Sequence, residues 1–263
     1  MHEQLWFTEV LNRALAGPVT ALLAALHIHV KHPQAPISNS FAMEVLVFGF
    51  LILLFLAVRS SLSVDNPGPL QHVFEGAHGF IQGQSEEIIG HHSEGYTPFL
   101  MSLAFFILFC NLIGLIPGFE SPTAVPIVPL GCAICAFVYY QAQGFKHAGP
   151  AYLKHFLGPV WWLSWLMLPI EIVSNLSRLL SLTVRLWVNM LVSEILYSLF
   201  LGLCVALFVF VGKLNPAGYV LGVVPFFVPP IFILLHIFVA VLQAFVFTIL
   251  PVLYVSAVVS ESH

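Results

Sequence analysis

Long apolar runs, separated by short polar or proline-containing segments, set the pattern of this chain. A helix needs roughly 20 residues to cross about 30 Å of hydrocarbon, and runs of this order recur along most of the sequence. They occupy residues 41–58, 96–116, 124–141, 161–212 and 217–259. Because backbone polar groups in lipid must be satisfied within the spanning structure, we predict an all-α, polytopic membrane protein with about five membrane helices.

The last two runs are much longer than the others. A helix over 161–212 exceeds one perpendicular crossing, so it must tilt strongly, break or lie partly in the membrane plane. We expect the prolines of 217–259 to kink the final helix without ending it, because neighbouring helices can satisfy the freed carbonyls. These prolines are Pro225, Pro229, Pro230 and Pro251. The pattern therefore predicts two long, tilted helices in the C-terminal half.

Two other segments mix apolar and polar positions. Residues 70–94 intersperse phenylalanine and isoleucine with glutamate and histidine, which predicts an amphipathic helix at the membrane interface. The N-terminal segment begins with acidic side chains and a short apolar run, unlike a cleaved signal peptide with its basic start. We interpret residues 1–40 as an interfacial or peripheral segment and residues 41–263 as a single membrane-embedded domain.

Composition supports this interpretation. The 263 residues are 59% hydrophobic and 8% charged, with mean hydropathy +0.97, whereas soluble domains contain about 25% charged residues. The eight lysines and arginines are scattered and the net charge is −4, which excludes nucleic acid as a partner. The sequence Cys132-x-x-Cys135 lacks a second ligand pair at zinc spacing, and no nucleophile or His-Glu-x-x-His motif occurs. We therefore expect no metal, no cofactor and no catalytic residue.

Ionisable residues inside the run 161–212 are the first candidates for chemistry. Each costs about 2.5–3.5 kcal/mol on insertion scales and by default marks an ion path or a paired site. At about 100° per residue, one helical face carries a polar stripe centred on Arg185, while Glu194 lies about 180° away on the back of the helix. The stripe contains Glu171, Ser174, Arg178, Ser181 and Asn189, all within about 40° of Arg185.

The final run carries a second polar stripe. His236 and Gln243 are seven residues apart, and Tyr254 falls close to the same face. The arginines of the first stripe keep their protons and act as fixed charges, whereas Glu194 and His236 can carry protons. Two polar stripes on two long helices indicate a buried polar pathway with a glutamate–histidine relay.

Purely structural interpretations stay open for the same residues. Arg185 could form an ion pair with Glu171 or Glu194 inside the bundle. For Arg178, which lies two helical turns from Glu171, we expect such a structural pair. His236 taken alone could be a hydrogen-bonded core histidine.

Three segments resemble those of one family, the a subunit of the membrane sector of F-type ATP synthases. The sequence Ser-Leu-Thr-Val-Arg-Leu-Trp-Val-Asn-Met over 181–190, followed by Glu194, is similar to the family signature around its essential arginine. The sequence 236–247, continuing through Tyr254, resembles the C-terminal helix of that family, and Asn-Leu-Ile-Gly-Leu-Ile-Pro over 111–117 resembles its third helix. The resemblance covers residues from about 40 to the end. It departs at Leu179, where the family usually has proline, and at Val188, where a small glycine would let a partner helix approach more closely.

The resemblance implies a stator subunit that offers two offset proton half-channels to a ring of c subunits, each with one membrane carboxylate. In this assignment Arg185 discharges the ring carboxylates, and Asn189 faces the ring or lines the path. Glu194, His236 and Gln243 take half-channel positions. A polar stripe of Glu171, Arg178 and Ser181 also faces the ring. The implied partners are the c-subunit ring, the b-subunit peripheral stalk, the rest of the complex and membrane lipid.

The resemblance further implies a multi-pass protein of the bacterial inner membrane that is not itself catalytic but serves a proton-translocating enzyme complex in ATP synthesis. The alternative is a stand-alone ion-coupled secondary transporter or channel, which would also use buried arginine, glutamate and histidine. Many transporters contain internal repeats with broken helices, and the sequence shows none.

Overall fold

The computed structural model of the chain describes residues 5–25, 35–90, 93–116, 118–149, 164–214 and 228–260. All the regular elements in these ranges are helical. The α-helices are α1 (Trp6–Ala25), α2 (Asn39–Ser60), α3 (Pro69–Ile89), α4 (Thr97–Leu112), α5 (Ile127–Ala148), α6 (Ser164–Leu214) and α7 (Val228–Ser260). Within the described residues, α2, α4, α5, α6 and α7 are long and apolar enough to cross a membrane. The predictions of an all-α polytopic protein and of about five membrane helices are confirmed.

The N-terminal helix is tied to the start of the first spanning helix. The side chain of Asn12 donates to the carbonyl oxygen of Ile37 at 3.2 Å and accepts from its backbone N–H at 3.0 Å. Just beyond, the hydroxyl of Ser38 accepts from the backbone N–H of Phe41 at 3.3 Å and caps α2. These bonds satisfy backbone groups that the start of α2 would otherwise leave open. As a result α1 packs against α2.

The amphipathic segment forms α3, although the helix is shorter than the predicted 70–94. It ends at Ile89 because Gly90 adopts φ 95°, a backbone conformation that glycine takes readily and other residues seldom do. Glu94 therefore lies outside α3, in the separate 3-10 turn Ser93–Gly95. Among the side chains of α3, the buried ones include Gln71 and Ser85.

The neighbouring apolar runs 96–116 and 124–141 form the two arms of a helical hairpin, with boundaries that differ from the predicted ones. The first arm, α4, ends at Leu112 and continues as a 3-10 turn over Ile113–Leu115. A second 3-10 turn, Pro122–Ala124, precedes α5, so the second arm starts later and ends later than the predicted 124–141. Pro126 stands between that turn and the helix, at the N-cap position of α5, and proline favours turns and helix starts over helix interiors.

The two long C-terminal helices are also present. The helix α6 is continuous over Ser164–Leu214, so it is unbroken even at Pro169. In α7, the expectation that Pro229 and Pro230 kink the helix is wrong: the helix begins at Val228, and both lie in its first turn. Proline is tolerated there because the first-turn N–H groups have no partner within the helix. Pro251 does lie inside α7, whereas Pro225 falls outside the described residues.

The last helix occupies the centre of the fold, with α3, α4, α5 and α6 packed around it. It runs antiparallel to α6, because Phe200 of α6 stacks on Phe232 at 4.3 Å while the earlier Arg178 of α6 meets the later Tyr254. One core cluster joins four of these helices. Its buried residues are Leu103, Ile107, Cys132, Ala133, Ala136, Leu182, Leu186, Met190, Ala244 and Phe247. This packing brings the two predicted polar stripes next to each other.

Candidate functional site

The helix α6 buries one face and leaves a large apolar face uncovered. Leu182, Leu186 and Met190 belong to the core. In the most apolar part of α6 only 6% of the residues are buried, compared with 28% to 39% in the other spanning helices. The uncovered side includes Val184, Val188, Val192, Ile195 and Leu199. This helix therefore presents more uncovered apolar surface than any other described span.

Arg185 lies on α6 between the buried face and the uncovered one. Its side chain is exposed. Among the residues that the structure describes, the ion pair found is Arg13 with Glu9 on α1, and Arg185 takes part in none. The alternative in which Arg185 pairs with Glu171 or Glu194 is therefore wrong. The guanidinium is left as a cation without a carboxylate partner in the described part of the chain.

Arg178 and Glu171 also do not form their expected ion pair. The guanidinium of Arg178 lies over the ring of Tyr254 on α7, 5.0 Å from the ring centroid, a cation–π arrangement. The carboxylate of Glu171 accepts from the amide of Asn175 at 3.0 Å, and Asn175 in turn accepts from the hydroxyl of Tyr140 at 2.9 Å. Two turns of helix separate the expected pair by about 10 Å, so each group finds a closer partner. These contacts join α6 to α5 and α7.

His236 lies at the junction of α4, α6 and α7. It is 4% exposed. Its Nδ1 atom is 2.5 Å from the hydroxyl oxygen of Ser193 on α6, and its Nε2 atom is 3.0 Å from the carbonyl oxygen of Asn111 on α4. Both ring nitrogens are thus in hydrogen bonds, as a buried histidine requires. Sequence reasoning selected His236 but neither of these two partners.

The turn that precedes α5 packs against the α4 side of this three-helix junction. The hydroxyl of Thr123, in the turn Pro122–Ala124, donates to the side-chain oxygen of Asn111 at 2.6 Å. The hydroxyl of Ser121 lies 2.8 Å from that of Thr123 and donates to the carbonyl of Cys110 at 2.9 Å. A side chain at Gly114 would bring its Cβ within 2.9 Å of the Cβ of Ser121, so glycine is needed there. The turn therefore packs directly onto the end of α4.

The same turn contacts the helix that carries the arginine. The indole N–H of Trp187, two residues beyond Arg185, donates to the carbonyl oxygen of Ala124 at 2.9 Å. Sequence reasoning missed this contact and the role of Asn111, which is fully buried. A signal was available, since an asparagine within an apolar run seldom stands without a hydrogen-bond partner.

Glu194 borders a cavity that His236, which is buried, does not line. A cavity of about 430 Å³ lies between the start of α2, the turn before α5 and α6, and Glu194 and Glu120 both border it. Its other lining residues are Ala35, Ile37, Ser38, Asn39, Ser40, Ser121, Ala124 and Val125. Glu194 follows Ser193 directly, so the two side chains point about 100° apart around α6. The cavity and the buried histidine thus lie on adjoining sides of the same turn of helix.

The remaining predicted site residues occupy the same two helices. Gln243 is 2% exposed on α7, and the antiparallel contacts of α6 with α7 set it level with Asn189, which is half-buried. Ser181 is exposed on α6 and Ser174 is half-buried. Within the described part of the chain, no group of three or more histidine, cysteine, aspartate or glutamate side chains could hold a metal ion.

Comparisons with a family model and with individual proteins found similar sequences. The model of the family described as ATP synthase A chain matches residues 41–256. The chain is 47% identical to a protein named ATP synthase subunit a from Koribacter versatilis, over the full length of both chains. It is 42% identical to the protein of the same name from Solibacter usitatus, covering 96% of this chain and 99% of that one. It is 35% identical to the protein of that name from Geotalea uraniireducens, covering 84% of this chain and 89% of that one.

Proposed function

The chain belongs to the ATP synthase A chain family, and from this premise we propose that it is the stator subunit in the membrane sector of an F-type ATP synthase. In this role it provides two offset proton half-channels to a rotating ring of c subunits. It works in the inner membrane of a bacterium, beside a peripheral stalk of b subunits. The subunit catalyses no reaction itself but couples proton flow to ring rotation and ATP synthesis.

The observation that carries this proposal is the environment of Arg185. The residue is an exposed cation on the least covered spanning helix, and no carboxylate of the described residues pairs with it. A charge within a membrane span is costly unless it meets an opposite charge or water. The partner carboxylate is therefore supplied by another chain, at the uncovered face of α6.

A ring of c subunits supplies such carboxylates one after another. Arginine keeps its proton under all ordinary conditions, so it favours the ionised form of any carboxylate that comes close. A ring carboxylate that arrives protonated therefore loses its proton near Arg185 and leaves the site only after a new proton neutralises it. The fixed cation also repels a proton moving directly along the interface, which prevents a leak between the half-channels.

Rotation follows because the two half-channels open at different places around the ring. A neutral carboxylate can face lipid, whereas an ionised one is held near Arg185. Each proton that crosses the membrane gains about 2.3 kcal/mol per 100 mV of membrane potential. Several protons together supply the free energy for one ATP.

The polar groups on the other side of α6 belong to a half-channel in this proposal. Glu194 borders a cavity of about 430 Å³, which is large enough for water. His236 and Gln243 continue the polar path along α7, with Asn189 level with Gln243. Glutamate and histidine can both exchange protons, so this side passes protons to or from the ring.

The other members of the polar stripe have two different roles in the proposal. Arg178 and Glu171 hold α6 against its neighbours through Tyr254 and Asn175. Ser181 stays exposed beside Arg185 and takes part in the ring-facing surface.

The proposal is tested with Arg185→Ala in the whole ATP synthase complex. The complex is placed in inverted membrane vesicles, and ATP-driven proton uptake is followed with a pH-sensitive dye. We expect uptake to fall to the level of vesicles without ATP, while Arg59→Ala, an exposed arginine at the end of α2, pumps as the wild type does. Coupled proton uptake by Arg185→Ala at the wild-type rate would overturn the proposal.

A further inference from the structure

The two ring nitrogens of His236 have hydrogen-bond partners of different kinds. The Nε2 atom is 3.0 Å from the carbonyl oxygen of Asn111, and a carbonyl oxygen only accepts hydrogen bonds, so Nε2 carries a hydrogen in both charge states. Any proton that His236 gains or loses is therefore exchanged at Nδ1. At that atom the hydrogen-bond partner is the hydroxyl of Ser193, with 2.5 Å between Nδ1 and the hydroxyl oxygen.

A hydroxyl is suited to this position because it both donates and accepts. When His236 is neutral, the hydroxyl of Ser193 donates to Nδ1. When His236 is protonated, Nδ1–H donates to the hydroxyl oxygen, and the hydroxyl hydrogen turns to a backbone carbonyl one turn earlier in α6. Both states of the histidine thus keep two hydrogen bonds in the interior of the protein.

Ser193 is less buried than the histidine that it contacts, and its neighbour along α6 borders a cavity. His236 is 4% exposed, while Ser193 is only half-buried. The next residue, Glu194, borders the cavity of about 430 Å³. Among the described residues, the side chain bonded to Nδ1 is that of Ser193, so a proton that reaches Nδ1 through this hydrogen bond comes from its hydroxyl.

We propose that Ser193 is a positioning residue of the proton path, whose hydroxyl orients His236 and passes its proton at Nδ1. This inference rests on the proposed function. In the transfer step, a hydronium ion or the protonated carboxyl of Glu194 gives a proton to the hydroxyl oxygen of Ser193, while the original hydroxyl hydrogen moves to Nδ1. One O–H bond breaks at the donor, one forms and one breaks at Ser193, and one N–H bond forms at His236.

The test compares three substitutions at this position in the whole complex, again by ATP-driven proton uptake in inverted vesicles. Ser193→Ala removes the hydroxyl, Ser193→Cys keeps the size but has a weak donor and acceptor, and Ser193→Thr keeps the hydroxyl and adds a methyl group. We expect uptake by the Ala and Cys variants to fall about threefold to tenfold, as one hydrogen bond is lost, and the Thr variant to keep at least about half of the wild-type rate.

A merely space-filling role predicts the reverse order, since cysteine matches serine in size better than threonine does. Uptake by Ser193→Cys equal to or above that by Ser193→Thr, or wild-type uptake by Ser193→Ala, would overturn the inference. If the Ala variant does not assemble, the ratio of the Thr to the Cys rate decides. The matched control is Ser198→Ala, whose exposed hydroxyl bonds to the carbonyl of Ile195 in its own helix and which we expect to pump normally.

The Arg185→Ala variant, measured beside them, separates the two proposals. Loss of uptake in Arg185→Ala together with wild-type uptake in Ser193→Ala leaves the stator function in place and removes the role of Ser193. Coupled uptake in Arg185→Ala removes the stator function itself, whatever the Ser193 variants do.

Discussion

The helix α6 carries two polar regions that differ in how their polar groups are partnered, one around Arg185 and one around Ser193 with its partner His236. Arg185 is exposed at the edge of the uncovered apolar face, and no carboxylate of the described residues lies within ion-pair distance. About two turns further along, Ser193 reaches a histidine that is 4% exposed and has both ring nitrogens in hydrogen bonds. In the proposed function the first region is completed by another chain, whereas the hydrogen bonds of the second lie within this one.

This difference separates two tasks that a proton-driven rotor needs. A permanent charge has to face the moving partner, because it acts on carboxylates that come and go. A proton-exchanging group has to stay in a fixed geometry, because proton transfer needs donor and acceptor at hydrogen-bond distance. In the proposed function a single helix serves both tasks, because its faces point in different directions.

The largest expected effect in this comparison comes from His236→Leu. This substitution should remove proton exchange at the histidine and leave the region around Arg185 unchanged. Loss of the proton-exchanging side chain should lower ATP-driven proton uptake about 100-fold, a contribution typical of positioned acids and bases. Passive proton leak, measured as decay of an imposed pH gradient without ATP, should stay at the wild-type level because, in the proposed function, Arg185 blocks the interface. In Arg185→Ala the leak should rise.

The control for this comparison is His78→Leu, an exposed histidine on α3, which should change neither uptake nor leak. If His236→Leu raises the leak as much as Arg185→Ala does, the two regions are not functionally separate. The distinction drawn here between a fixed charge and a relay would then be wrong.

A smaller effect is expected at Trp187, whose hydrogen bond connects α6 to the turn that packs on the end of α4. Trp187→Phe removes the hydrogen bond from the indole N–H to the carbonyl of Ala124 but keeps an aromatic ring. One such bond contributes about 1 kcal/mol net. The purified complex should therefore lose this chain at a lower temperature, with uptake reduced less than about threefold. Trp165→Phe, at a position 76% exposed, should have no effect. Equal stability of the two variants would contradict an anchoring role for Trp187.

Most of the fold could be predicted from the sequence because apolar run length is a direct consequence of membrane thickness. The boundaries were less accurate where local backbone chemistry decides them. Gly90 ends α3 before Glu94, and Pro229 and Pro230 start α7 instead of kinking it. A proline that begins a helix and one that bends it look alike in a hydropathy pattern.

The helical positions of the candidate residues were also predictable, since α6 is continuous and one turn fixes the direction of the next. The partners were not. Arg178 contacts Tyr254 rather than Glu171, and His236 contacts Asn111 across 125 positions of sequence. Such contacts depend on how α4, α6 and α7 pack against one another, which spacing along a single helix does not contain.

The most direct test of the central claim is which face of α6 meets the ring. In a complex without native cysteines, one cysteine is placed beside the membrane carboxylate of the ring subunit, and a second by Val188→Cys or Val192→Cys on the exposed face. Leu186→Cys and Met190→Cys, both fully buried, are the matched controls. A disulfide forms only where the two Cα atoms come within about 7 Å.

After mild oxidation, we expect a cross-linked band between this chain and the ring subunit from the exposed positions and none from the buried ones. Cross-linking from the buried positions alone, or equally from both faces, would contradict the assignment of the Arg185 face to the ring.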